Sequence, residues 1–343
     1  MQFVFAFGFN HRNQPMDFFY EQTLCLSGHD DTILALCFSP DGALLASAGL
    51  DGKLFIWTTT TGAQLHDVIQ SEHGFSALLW LDNSSLLSGK EDGTALLITL
   101  AKDDYSTCLY LLHDEPVECL AMNRGGTVAS GAGITIQIFT ISDTRRVQVR
   151  KTLRFDDGSN KLIKVTSLHW ADSLFPNALL VTYLNHGVVV WNMETSDVIY
   201  TIPLDTLAGD AALSADHRFL AISNISYGFD VYDIVDKKHV KSLKYEDGSG
   251  RCLPVAFIHG GNYLIGGSSI GSLAISHLGR QEPINYLDHP ENPVILSIAS
   301  HYDSLSTNSI IACGSAGVED SAHIWVWRGQ ANWIPSQRRV LIS

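Results

Sequence analysis

Long apolar runs are missing from this chain: no stretch approaches the ~18 residues that span a bilayer. The apolar start, Met1 to Phe9, lacks a basic flank and a small-residue cleavage site, so it does not read as a secretory signal. Basic residues are scarce: 22 Lys and Arg face 36 Asp and Glu, a formal net charge of −14. That balance argues against nucleic acid, whose binding draws its affinity from clustered cations, and leaves room for a basic protein partner. The six cysteines, at 25, 37, 108, 119, 252 and 313, form no C-x-x-C pair and have no histidine at ligand spacing. No structural zinc site is expected; buried free thiols in a reducing compartment are, which suits a cytoplasmic or nuclear protein.

Helical periodicity is also absent, which excludes an α/β reading. There is no G-x-S-x-G elbow, no G-x-x-x-x-G-K-[ST] loop and no H-E-x-x-H. The glycine pairs starting at 125, 260 and 266 follow or interrupt apolar segments and read as turns and bulges. The sequence therefore assigns no catalytic residue, no cofactor and no metal.

What the chain does contain is a repeat. Hydrophobic residues make up 45% and charged residues 17%, enough to build a large core. The clearest unit runs from Gly28-His29 through Ser39-Pro40-Asp41-Gly42, Leu44-Leu45-Ala46-Ser47 and Asp51-Gly52 to Trp57. With Trp57 as marker, six residues after a turn, the frame recurs at Ile98, Phe139, Trp191, Tyr232, Ser276 and Trp327. A unit of about 40–45 residues, enlarged twice, is the length of a four-stranded propeller blade. Short apolar segments precede each marker: Ile33–Phe38, Phe75–Leu81, Val117–Met122, Val165–Trp170, Asp210–Ser214, Leu253–Ile258 and Val294–Ala299. Each is apolar enough to be buried on both faces, as an inner blade strand is. Seven markers predict an all-β, seven-bladed β-propeller of four-stranded antiparallel blades. A ring must close or leave unpaired edges. Phe18 to Leu26 reads as a strand without a blade of its own, so it is expected on the outside of the last blade. The divisions expected are an apolar extension over 1–16, the propeller over 17–327 and a tail over 328–343. In the extension, Phe3, Phe5, Phe7 and Phe9 alternate with smaller residues.

These residues resemble the WD40-repeat family over nearly the whole chain. The resemblance implies a hydrogen-bonded relay in blade one through His29, Ser47, Asp51 and Trp57. It also implies degeneracy elsewhere: blade two keeps Ser88 and Asp92 but has Ile98 as marker, and blade three has His113 but Gly133 at the turn. No blade carries a Trp-Asp pair.

In the blade frame, the loops leading into the inner strands share one rim with the tight turns before the markers. That upper rim collects acidic residues, among them Asp30, Asp31, Glu91, Asp92, Asp114, Glu115, Glu319 and Asp320. Lys90, Lys161, Lys164 and Arg251 are its few bases, and Leu50 and Leu184 are apolar candidates beside the charges. The opposite rim carries Arg124, Arg145, Arg146, Arg218, Lys237, Lys238 and Arg280. The reading is a non-catalytic scaffold or adaptor for protein partners, with a basic peptide or surface attracted to the acidic rim. The alternative is a hydrolase-type propeller enzyme or a small-ligand binder at the channel mouth. Glu118 and His169 are the polar exceptions noted on the inner strands, and oligomeric state is left open.

Overall fold

The computed structural model describes residues 17–156, 158, 162–172, 175–244, 250–280, 283–289, 293–317 and 321–332. The alternating phenylalanines and the rim candidates Glu319 and Asp320 lie outside that set.

Strand β1 (Asp17–His29) leads into blade one: β2 (Ile33–Phe38), β3 (Leu44–Gly49), β4 (Lys53–Thr58) and β5 (Ile69–Gln70). Blade two is β6 (Phe75–Trp80), β7 (Ser85–Lys90), β8 (Thr94–Leu100) and β9 (Tyr105–Leu111). Blade three is β10 (Cys119–Met122), β11 (Thr127–Ala132), β12 (Thr135–Ile141) and β13 (Val147–Arg154). Blade four is β14 (Val165–Trp170), β15 (Ala178–Tyr183), β16 (Gly187–Asn192) and β17 (Val198–Ile202). Blade five is β18 (Ala208–Leu213), β19 (Phe219–Asn224), β20 (Gly228–Asp233) and β21 (Lys238–Lys244). Blade six is β22 (Val255–Ile258), β23 (Tyr263–Gly266), β24 (Ser272–His277) and β25 (Asn285–Asp288). Blade seven takes β26 (Ile295–Tyr302), β27 (Asn308–Ser315) and β28 (Ala322–Asn332) from the chain end, and its fourth strand is β1.

The chain is thus a seven-bladed propeller of four-stranded antiparallel sheets, and each marker residue stands on the third strand of its blade. Successive inner strands abut one another, and β26 abuts β2. β1 runs antiparallel to β28 from Asp17 opposite Asn332 to His29 opposite Ala322. The last strand therefore reaches Asn332, beyond the Trp327 at which the sequence reading ended the propeller. Arg328-Gly329-Gln330 has no apolar alternation, and its strand form is dictated by the partner instead: Gly329 pairs with Tyr20, whose ring would overlap any Cβ there.

Seven apolar clusters fill the seven junctions between blades, one to each. The inner strands, expected to be buried on both faces, instead mix buried with half-buried residues, as in β2 and β6, because one face meets the channel. Burial along the whole strand falls to second strands such as β15. Polar side chains stitch neighbouring blades: Trp80 Nε1 donates to the Cys37 carbonyl at 3.0 Å, and Ser297 Oγ to that of Ile33 at 3.0 Å. Cysteine burial differs from expectation. Cys25 and Cys252 are exposed, Cys37, Cys108 and Cys119 are half-buried, and only Cys313 is fully buried. Cys25 lies on the outer edge strand, where one face meets solvent, and Cys252 precedes an inner strand at the channel.

Burial also sets an acid limit. It pushes His113, His169, His259 and His289 from 6.5 to about 4. The unfolded chain therefore takes up protons first as pH falls, and stability present above pH 6.5 is lost towards pH 4. Asp210 runs the other way: burial raises it from 3.8 to about 6, so its destabilising ionisation is relieved below pH 6. With four groups against one, the thermal midpoint is expected to fall between pH 6.5 and 4; calorimetry across that range checks it.

Candidate interaction surface

Blade one anchors the rim through four side chains joined end to end. Trp57 Nε1 donates to Ser47 Oγ at 2.9 Å, and Ser47 Oγ lies 2.9 Å from His29 Nε2. His29 Nδ1 stands 2.9 Å from Asp51 Oδ2. A carboxylate only accepts, so the proton of a neutral His29 sits on Nδ1 and its Nε2 takes the Ser47 hydroxyl proton. Burial pushes the Asp51 carboxyl up, but the His29 bond and the N–H groups of Lys53 and Asp30 outweigh it and hold it low. The run joins the loop before β2, the turn before β4 and strands β3 and β4, so the rim of blade one is rigid.

The corresponding parts are incomplete elsewhere. In blade two the Ser88 hydroxyl turns to the Ala77 carbonyl at 3.2 Å, because Ile98 offers no N–H. In blade three His113 Nε2 still lies 2.7 Å from Ser130 Oγ. Gly133 leaves room at the turn that the Glu115 carboxylate fills; a Cβ there would overlap it.

The upper rim separates its acidic residues into two groups. Asp30 is exposed but ion-pairs with Lys53, a base the sequence reading did not count on this rim. Asp92 is half-buried and braces its turn, accepting from Thr94 N at 3.0 Å, Thr94 Oγ1 at 2.6 Å and Lys90 Nζ at 3.2 Å. Burial raises Asp92, yet the Thr94 and Lys90 bonds outweigh it and keep it below the usual carboxylate range. Glu115 is exposed, with its carboxylate lying over the Gly133 turn. Asp31, Glu91 and Asp114 are exposed and make no ion pair among the described residues. Of the bases, Lys90 is buried against Asp92, and Lys164 pairs with Glu118 at 2.8 Å. Leu50 is exposed at the blade-one turn, where the space beside Gly74 also holds the Glu91 carboxylate, so the two are neighbours. Leu184 is half-buried and lines the channel instead.

The upper channel mouth encloses about 540 Å³. Leu34, Leu36, Leu296 and Ile298 form one wall, and Glu118, Lys164 and Asp210 the other. Asp210, the first residue of the predicted inner-strand segment Asp210–Ser214, is a further ionisable group at the channel beside Glu118. β18 begins at Ala208 with an irregular register between Ala208 and Asp210, and Gly209 and Asp210 both line the channel. Its oxygens accept Ala211 N at 2.8 Å and Val255 N at 3.1 Å. His169 Nε2 lies 2.8 Å from the Ala211 carbonyl, a contact between blades four and five. Among the described residues no group of three or more His, Cys, Asp or Glu could hold a metal, and no helix is long and apolar enough to cross a membrane.

The family model described as "WD domain, G-beta repeat" matches residues 20–58, the segment holding Asp51, Ser47, His29 and Trp57. WD repeat-containing protein 1 of Xenopus tropicalis is 27% identical over 180 residues, 50% of this chain and 28% of that protein. Actin-interacting protein 1 of Drosophila melanogaster is 30% identical over 171 residues, 48% of this chain and 26% of that protein. The periodic tryptophan protein 2 homolog of Dictyostelium discoideum is 23% identical over 277 residues, 74% of this chain and 29% of that protein. The aligned parts span between a quarter and a third of these relatives. Repeat spacing, blade topology and these likenesses together show a seven-bladed β-propeller that resembles the WD40-repeat proteins, with one matching repeat and degenerate ones after it.

Proposed function

We propose that this propeller is a non-catalytic interaction scaffold whose upper rim takes a basic peptide or protein surface. One observation carries the reading: Asp31, Glu91 and Asp114 are exposed carboxylates on one rim that make no ion pair among the described residues. Unpaired like charges on a rigid frame attract a partner of opposite sign and speed its encounter. Leu50, next to Glu91, supplies apolar contact at the same place. The fly relative is named for interaction with actin, which supports a protein partner as the kind of ligand, without fixing its identity.

Glu91→Lys with Asp114→Lys tests the proposal, because neither carboxylate braces a turn through hydrogen bonds in the way Asp92 does. Used as bait beside the wild type in lysate of the source organism, the double variant is expected to lose basic proteins that the wild type retains. Its thermal midpoint should not change. Equal retention of those proteins by both baits would contradict the acidic-rim reading.

A second reading, a small-ligand site or reaction at the upper channel mouth, draws on the convergence of Glu118, Lys164 and Asp210 there. It is the weaker one. Glu118 is held by Lys164, and each Asp210 oxygen accepts a backbone N–H group, so both carboxylates already serve structural contacts.

A further inference from the structure

At the other end of the channel, where β10, β14 and β18 finish, lies a cleft of about 530 Å³ that the rim reading does not use. Met122, Trp170 and Leu213 give it an apolar wall, and Arg124, Asp172 and His217 face it with polar groups. Asp172 Oδ1 and His217 Nδ1 are both withdrawn from solvent and have no hydrogen-bond partner among the described residues. Arg124 makes no ion pair among the described residues. Buried polar atoms are nearly always satisfied, so two orphans on one cleft wall need a reason.

The backbone explains how His217 reaches the cleft. His217 adopts φ 56, the left-handed region that glycine favours. The equivalent turn of blade one, with the same Ser-to-Asp bond at 2.6 Å, places Gly42 there at φ 70. Blade three uses Gly126 at φ 77. Asn177 at φ 56 and Thr307 at φ 57 show that the same hairpin in blades four and seven also takes a side chain, and in blade five that side chain is an imidazole carried to the wall of the cleft.

The groups also say which ligand. A free anion would meet the Asp172 carboxylate, and a free cation would meet Arg124. A molecule carrying both charges satisfies both, and an aliphatic side chain suits the apolar wall. A cleft of this size holds a small molecule with room to spare. We propose that the lower channel mouth binds a free α-amino acid with an apolar side chain. Asp172 and His217 Nδ1 take the ammonium, and Arg124 takes the carboxylate. Burial, with Arg124 nearby, keeps His217 below its ordinary value, so Nδ1 is free to accept a proton from the ammonium. His169, bonded to the Ala211 carbonyl, is fixed beside it.

Saturation-transfer NMR and calorimetry on the full chain, with L-leucine as probe, test this directly. L-Leucine should bind, while leucinamide, without the carboxylate, and N-acetyl-leucine, without the ammonium, should each bind at least tenfold more weakly. His217→Gly should lose at least tenfold in L-leucine affinity and yet raise the thermal midpoint, since glycine relieves the turn. Asp172→Asn keeps the shape and should lose affinity by a similar factor. No transfer from L-leucine at millimolar concentration would overturn the proposal. So would equal binding of leucinamide, or unchanged affinity in the Asp172→Asn and His217→Gly variants.

Discussion

Ser47→Ala is expected to lower the stability of the propeller by about 2–4 kcal/mol, because one hydroxyl satisfies two buried groups. Its loss leaves His29 Nε2 without a donor and Trp57 Nε1 without an acceptor, both deep in blade one. The Asp51 bond then holds an imidazole that no longer reaches the third strand. The two serines at matching positions provide an internal scale. Ser130 contacts His113 alone, so Ser130→Ala should cost about 1–2 kcal/mol. Ser88 donates only to a carbonyl at 3.2 Å, and Ser88→Ala should cost about 1 kcal/mol or less. Urea titrations of the three variants give the order directly. Equal losses in all three would mean that the run of bonds in blade one adds nothing as a unit.

Tyr20→Ala is the second large effect, at about 3–5 kcal/mol, since it removes a buried ring and two hydrogen bonds at the ring's seam. The Tyr20 hydroxyl lies 2.6 Å from His259 Nε2 in blade six and 3.1 Å from Ser309 Oγ in blade seven. Its ring covers Gly329 and joins the apolar cluster between those blades. Phe19, the neighbour on the same strand, is 69% exposed against 8% for Tyr20, so Phe19→Ala should change stability by no more than about 0.5 kcal/mol. Denaturant unfolding of both variants separates them. A reversed order would mean that β1 pairs one residue out of register, since such a slip exchanges the two faces.

The architecture was legible because it is periodic. A turn, then an aromatic or aliphatic marker six residues later, locates the third strand of every blade even where the marker is Ser276. Inner strands showed themselves as apolar runs, although one face of each is only half-buried where it lines the channel. The strand that closes blade seven was legible as a strand with no blade to join. Its partner's extension to Asn332 was not, because pairing rather than composition makes Arg328 to Asn332 a strand.

The rim was legible only in outline, as acidic. Which carboxylates are free depends on contacts that sequence spacing does not show. Asp30 meets Lys53 across the blade, Glu115 fills the gap left by Gly133, and Asp92 closes on Thr94. The lower cleft was not legible at all. It gathers residues from three blades, and its clearest sign is a pair of withdrawn polar atoms, on Asp172 and His217, with no hydrogen-bond partner among the described residues.

The most direct test of the acidic rim is the affinity of the retained partner, measured by calorimetry as salt is raised. Exposed charges several ångströms apart are screened once the Debye length shrinks to their spacing. The account predicts that binding weakens steeply with salt in the wild type, and that in Glu91→Lys with Asp114→Lys it is already weak and nearly flat. Affinity that is independent of salt and equal in both proteins would contradict it.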